Sequence, residues 1–92
     1  MIRTFQHKGL RAFFHTGTTK GIRADHAKRL RLILGALDIA VGPNELGLTA
    51  LKLHPLKGDL AQYWSVPVSG NWRIIFRFIE NDVELVDYLD YH

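Results

Sequence analysis

Residues able to handle a phosphate group gather at two places in this 92-residue sequence. The first is the run Lys52-Leu53-His54-Pro55-Leu56-Lys57-Gly58-Asp59, followed at once by Tyr63-Trp64-Ser65-Val66-Pro67-Val68. The second is the triplet Asp90-Tyr91-His92, which repeats the same chemical vocabulary. Histidine exchanges protons near neutral pH, lysine supplies a point charge, and arginine can bind two anionic oxygens at once. Each residue also has an ordinary structural role open to it. His54 before a proline can cap a strand end, Asp90 and His92 can form a polar tail, and Arg73 can pair with Asp87 or Asp90. A metal site of His54, Asp90 and His92 is possible on ligand type, yet nothing resembles an HExxH helix or a cysteine-histidine module, and no metal or other cofactor is expected.

The elements that must position these groups follow from periodicity. Ile2 to Phe5 alternates as a short strand at or next to a sheet edge. Leu10, Phe13 and Phe14 recur on one helical face, with Gly17 where the helix turns off, and His7 and His15 flank it as surface residues. Thr16 to Arg23 is a short polar linker. From Asp25 to Ala40 a second helix carries the core stripe Leu30, Ile33, Leu34 and Leu37, with Asp25 as N-cap or first-turn acid. Leu32, Ala36 and Ile39 lie off that stripe, to be covered by the first helix or left for a protein partner. Gly42-Pro43-Asn44-Glu45 breaks the helix and opens a connection.

After that connection the period changes to two. Leu51 to His54 reads as a strand with both leucines on one face and Lys52 with His54 on the other, ended by Pro55, and Pro55 to Asp59 reads as a loop. The hairpin signals Ser69-Gly70-Asn71 and Glu80-Asn81-Asp82 join Tyr63–Val68, Trp72–Phe78 and Val83–Leu89 into an antiparallel meander. Trp64 and Trp72 share parity with the apolar residues of their strands and are expected as core and interface aromatics, not base-stacking platforms. The expected fold class is α+β, with two N-terminal helices packed on one face of a small, mainly antiparallel sheet, as one domain over residues 1–92. Parity then places Lys52, His54, Arg73, Arg77, Val86, Tyr88, Asp90 and His92 on the open face. If the Leu51 strand and the last strand both lie close to the Trp72 strand, His54, Lys57, Arg73, Tyr91 and His92 converge at one end of it.

Composition excludes several classes. A hydrophobic fraction of 47% with 23% charged residues is too apolar for a disordered chain. With no cysteine there is no disulfide or thiolate chemistry, which is compatible with a reducing cytoplasm. No apolar run approaches the ~20 residues that span a bilayer, and no signal-peptide core is present, so a cytoplasmic protein without a membrane partner is expected. Net charge is +3, from 12 Lys and Arg against 9 Asp and Glu. The basic residues form three groups, Arg3 to Arg31, Lys52 to Lys57, and Arg73 with Arg77, while acidic residues crowd the chain from Glu80 onward. A basic surface favours a polyanion such as nucleic acid, and Arg23, Lys28, Arg29 and Arg31 would give the second helix a phosphate-facing side; a merely solvated face is the plainer alternative.

These pieces together carry a resemblance. Met1-Ile2-Arg3 with His7-Lys8-Gly9-Leu10, then KLHPLKGD, YWSV, NWRI and the final DYH, in that order and spacing, resemble the HigB branch of the RelE/ParE toxin superfamily over nearly the whole chain. The resemblance implies a RelE-like fold and a type II toxin that enters the ribosomal A site and cleaves mRNA there. It also implies a HigA-like antitoxin with a helix-turn-helix domain that holds the toxin inactive.

Metal-free RNA cleavage needs a base for the 2′-hydroxyl, an acid for the 5′-oxygen, and cations for the charge developing on the phosphate. His54 and His92 are the expected proton-transfer pair. Asp90 orients an imidazole or is itself the base, Lys57 and Arg73 hold the phosphate, and Tyr91 stacks on a base or donates its hydroxyl. Arg23, Lys28, Arg29, Arg31, Lys52 and Arg77 are the expected RNA- and ribosome-binding cations. Two rivals come from other classes: a ParE-like gyrase inhibitor, which shares the fold but has no need of His54 and the Asp90-Tyr91-His92 set, and a non-catalytic RNA- or protein-binding module, for which the two histidines would not matter.

Overall fold

The computed structural model describes residues 1–44 and 51–90 of the chain. Two helices, α1 (Lys8–Thr16) and α2 (Ala27–Ile39), are followed by the strands β1 (His54–Pro55), β2 (Trp64–Ser69), β3 (Trp72–Ile79) and β4 (Asp82–Asp90). All four strands pair antiparallel with their sequence neighbours, in the order β1-β2-β3-β4. Residues 1–6 run alongside β4 in the parallel sense, held by Arg3 N–H to the Val83 carbonyl at 2.7 Å and Gln6 N–H to the Val86 carbonyl at 2.8 Å. The N-terminal segment therefore occupies the sheet edge that its alternation predicts.

The helices form where their caps allow. The Leu10 N–H donates to Nδ1 of His7 at 3.0 Å, so His7 closes the N-terminus of α1 and is not an idle surface residue. Gly17, with φ +81°, ends it and donates its N–H to the Phe13 carbonyl. Between the helices the chain folds back so closely that a Cβ on Gly21 would lie 2.4 Å from the Gly9 Cα, and one on Gly9 would lie 2.5 Å from the Gly21 carbonyl oxygen. Only two glycines permit that backbone contact. The second helical segment starts as a single 3-10 turn over Ala24–His26 before α2 proper, because the Asp25 carboxylate is bound by Arg23 and caps nothing. Pro43 and Asn44, expected in an irregular connection, are helical.

One face of the sheet meets the helices. Leu30, Ile33, Leu34 and Leu37 are all buried, as their spacing requires, and pack with Leu10 and Phe13 on Val66, Ile74, Phe76, Val83, Val86 and Tyr88. Trp64 and Trp72 pack half-buried against this cluster.

Two expectations about the strands are corrected. The Leu51–His54 segment does not alternate as a strand. Lys52 takes a left-handed conformation with φ +60°, and pairing is confined to His54 and Pro55, opposite Ser65 and Trp64. Pro55 is tolerated within the ladder because β1 is the edge strand of the described sheet. The second correction concerns β4. The register moves by one residue between Ile75–Asp87 and Arg77–Glu84, at a bulge where Leu85 has φ +56°. An extra residue reverses the parity beyond it. Val86 and Tyr88, expected on the open face, are therefore 0% and 3% exposed in the core, and Asp90 pairs opposite Trp72 on that same side.

Candidate phosphate-binding face

The side of the sheet turned away from the helices is built from cross-strand rows. His54, Ser65, Ile75 and Asp87 make one row, because each is the register partner of the next. Pro67, Arg73 and Leu89 make a second row towards one end, and Arg77 with Glu84 lies towards the other. Ser65 and Ile75 are buried at the centre, while His54 is exposed and Arg73 half-buried.

The cations of this face differ in how far they are neutralised. Arg77 is tied by its Nε to Glu84 at 2.5 Å, and Glu84 keeps only 14% of its side chain exposed. Arg73 makes no ion pair among the described residues, and the expected alternative of an Arg73–Asp87 pair is not formed; the Asp87 carboxylate instead accepts the Tyr88 N–H at 2.9 Å. Lys57 is exposed and leads into the 3-10 turn Gly58–Leu60. That turn, with Gln62, Tyr63 and Arg77, walls a polar cleft of about 260 Å³ beside Lys57. Lys52 is exposed on the left-handed turn that precedes β1.

Of the residues expected to converge, His54 and Arg73 share one face of the sheet. β1 is separated from β3 by β2, and β4 lies on the far side of β3. His54 and Asp90 thus stand three inter-strand spacings apart, roughly 14 Å across the sheet before any displacement along it. Asp90, opposite Trp72, is also on the helix-facing side, whereas His54 and Arg73 are on the other, so His54 and Asp90 do not form a hydrogen-bonded couple. Tyr91 and His92 lie outside the described residues, as do residues 45–50.

The basic side of α2 is also divided. The Arg23 guanidinium is bound to Asp25 through Nε at 3.1 Å and Nη2 at 3.2 Å, which raises the Arg23 pKa and lowers that of Asp25. Arg29 donates to the Pro67 carbonyl at 3.2 Å and ties α2 to β2, and Arg31 lies over the Phe13 ring at 5.4 Å from its centroid. Lys28 is exposed and forms no ion pair among the described residues. Of the four, Lys28 has the least structural employment.

Sequence reasoning passed over one group. His26 is 4% exposed, and its Nδ1 is 2.6 Å from the Tyr88 hydroxyl. The Trp72 ring packs on Tyr88 at 4.7 Å between centroids, with His7 edge-on to Tyr88 at 5.3 Å. Burial raises the Tyr88 phenol pKa, against a hydrogen bond to the Arg23 backbone and the Arg23 charge. A signal was present: His26 precedes Leu30 by four residues and so continues the core stripe of α2 as a polar member.

Among the described residues no helix is long and apolar enough to cross a membrane, and no group of three or more His, Asp or Glu side chains is placed to hold a metal ion.

The chain is 47% identical to Endoribonuclease HigB of Proteus vulgaris over 92 residues, which is 100% of both chains. Among solved structures, a YoeB dimer from Staphylococcus aureus matches with a TM-score of 0.55 at 18% identity, covering 99% of this chain and 94% of that one. A YoeB/ParE toxin from Agrobacterium tumefaciens matches with a TM-score of 0.53 at 20% identity, covering 97% and 93%. At such identities the likeness is one of fold, and it makes the α+β arrangement RelE-like. The sequence model of HigB-like toxins, described as the RelE-like toxin of type II toxin-antitoxin system HigB, matches residues 3–92. The chain belongs to the HigB-like family of RelE-like toxins of type II toxin-antitoxin systems.

Proposed function

We propose that this HigB-type endoribonuclease is a ribosome-dependent mRNA interferase, a single RelE-like domain over residues 1–92 that cuts mRNA in the ribosomal A site without a metal. The observation that carries the reading is the state of Arg73. It stands on the central strand β3 with no ion pair among the described residues, between the strand of His54 and the strand that ends at Asp90. In-line cleavage places the attacking 2′-oxygen and the leaving 5′-oxygen on opposite sides of one phosphorus. A cation without an ion pair, on the same face of the sheet as the proton-transfer residue His54, suits a phosphate on which charge develops.

In this reading Arg73 and Lys57 bind the scissile phosphate and take up its developing charge. His54 transfers a proton. Asp90, Tyr91 and His92 complete the set, with His92 as the second proton-transfer group, Asp90 as its orienter or as the base itself, and Tyr91 stacking on a base or donating its hydroxyl. Lys52, Lys28 and Arg31 meet the ribosomal RNA backbone, whereas Arg23, Arg29 and Arg77 serve mainly to hold the fold. Ribosome dependence follows from the openness of the face: a shallow cationic surface cannot by itself hold the 2′-hydroxyl in line, so free RNA is a poor substrate. The antitoxin that the family implies is HigA-like with a helix-turn-helix domain, and the toxin works in the cytoplasm.

Primer extension on a reporter mRNA in a translating extract tests this. Breaks within the reading frame are expected with the wild-type protein, and none with His92→Gln or without ribosomes. Cleavage by His92→Gln at the wild-type rate would sink the assignment.

A further inference from the structure

The polar cleft that follows Lys57 has no part in the cleavage chemistry proposed above. Along β3, Arg73, Ile75 and Arg77 alternate onto the face turned away from the helices, so the rows of Arg73 and Arg77 lie roughly 13 Å apart with the row of His54 between them. Tyr63 comes one residue before Trp64, the register partner of Phe76, and so stands opposite Arg77. The Leu56 N–H donates to the Tyr63 carbonyl at 3.0 Å, which carries the pairing past the end of β1. Gly58, with φ +69°, then turns the chain into the 3-10 segment Gly58–Leu60, and Asp59, Gln62, Tyr63 and Arg77 come together around the cleft of about 260 Å³. The cleft lies one residue pair beyond His54, roughly 7 Å along the strands, on the side away from Arg73. A strand of RNA with a phosphate beside His54 can reach it with a neighbouring base.

The charges of the cleft select against a phosphate. Arg77 is already neutralised by Glu84, while Asp59 is exposed and forms no ion pair among the described residues, so the charge left on the wall is negative. An ionised carboxylate only accepts hydrogen bonds, and the Gln62 amide both donates and accepts. Tyr63, half-buried, supplies an aromatic ring, on which any base can stack. Such a set fits a neutral, planar group with N–H donors at its edge. We infer that the cleft is a nucleobase subsite, in which Tyr63 stacks on a base next to the scissile phosphate while Asp59 and Gln62 read its edge. Adenine, cytosine and guanine each offer an exocyclic amino group to the carboxylate; uracil offers carbonyl oxygens there and is refused. The inference rests on the reading of His54 and Arg73 as the cleavage site.

The test is single-turnover cleavage on ribosomes programmed with mRNAs that carry each of the four bases, in turn, on either side of the cut. At one of the two positions the wild-type protein is expected to cleave uracil about ten- to a hundredfold more slowly than the amino-bearing bases, the scale of one well-made base contact. Asp59→Asn adds a donor that can meet a uracil carbonyl, and is expected to abolish most of that difference at that position alone. Tyr63→Ala is expected to slow all four bases there by about tenfold or more, because stacking tolerates any sequence, with Tyr63→Phe restoring most of the rate. Thermal midpoints separate these effects from loss of folded protein, and Asp59, being exposed, can be replaced without disturbing the core. Equal rates for all four bases in the wild type, or a preference that survives Asp59→Asn, would overturn the inference. So would a loss in Asp59→Asn that is the same for every base, which would mark Asp59 as a docking residue for the ribosome. Arg73→Ala, measured alongside, shows whether the cleavage site itself stands: an inactive variant leaves it intact in each of these cases, and cleavage at the wild-type rate would overturn the site and the inference with it.

Discussion

The two faces of the sheet use the same strands for opposite ends. Under the helices, Val66, Ile74, Phe76, Val83 and Val86 are each 0% exposed, and their positions are set by packing against Leu30, Ile33 and Leu37. On the other face Ser65 and Ile75 are buried at the centre, charged residues lie around them, and what matters is whether a charge is already neutralised. Arg77 is spoken for by Glu84, whereas Arg73, four residues earlier in β3, has no such partner among the described residues. Folding free energy is concentrated on one face and unspent electrostatic potential on the other. Because alternate residues of one strand serve the two faces, either can change with little effect on its neighbour.

That separation can be broken most forcefully at β3. Phe76→Ala is expected to cost about 3–5 kcal/mol of stability, as removal of a large buried ring from a core does. Arg73→Ala, three positions away, is expected to leave the urea midpoint unchanged while lowering cleavage on the ribosome by about a hundredfold. Equal losses of stability from the two changes would show that the faces are not independent. A smaller effect is expected at Gly21→Ala, where the added methyl meets Gly9 backbone 2.4 Å away. Relief requires α1 to shift, at about 1–3 kcal/mol by analogy with overpacked sites, visible as a lower thermal midpoint. An unchanged midpoint would mean that the linker, not α1, gives way without cost.

The smallest effect is one of pH, and it sharpens the contrast between paired and unpaired charge. Hydrogen bonds from Arg3 and the N-terminal ammonium hold the Asp82 carboxyl below its ordinary pKa. A carboxyl depressed in the folded state contributes stability above its unfolded pKa and loses that contribution as pH falls through the folded value. Stability should therefore decline on the acid side of the ordinary carboxylate range, and Asp82→Asn should make that decline shallower in urea melts at a series of pH values. Asp25, lowered by Arg23, contributes in the same direction. Asp25 is exposed and Asp82 half-buried, so high salt should reduce the effect, more at Asp25 than at Asp82.

Much of this architecture was legible from residue order. The stripe Leu30, Ile33, Leu34, Leu37 gave its helix away because helical periodicity is local, and Gly70-Asn71 and Glu80-Asn81 marked both hairpins for the same reason. Less was legible at the candidate site. His54, Lys57 and Arg73 could be chosen by type, but whether they meet depends on strand order. Pairing β1 with β2, and not with β3, keeps the strand of His54 apart from that of Arg73, and the β4 register turns Asp90 to the opposite face.

By itself, then, the sequence determined the two helices, the α2 core face, the hairpins and the membership of the HigB-like family, all of which depend on neighbours close in the chain or on residue identity. Tertiary structure alone decided which way β4 faces. Nothing near Leu85 in sequence announces a bulge; its left-handed backbone exists because pairing with β3 on one side and the N-terminal segment on the other fixes both registers. The same is true of the bond between His26 and Tyr88, whose partners are 62 residues apart and meet only when helix and sheet close on each other.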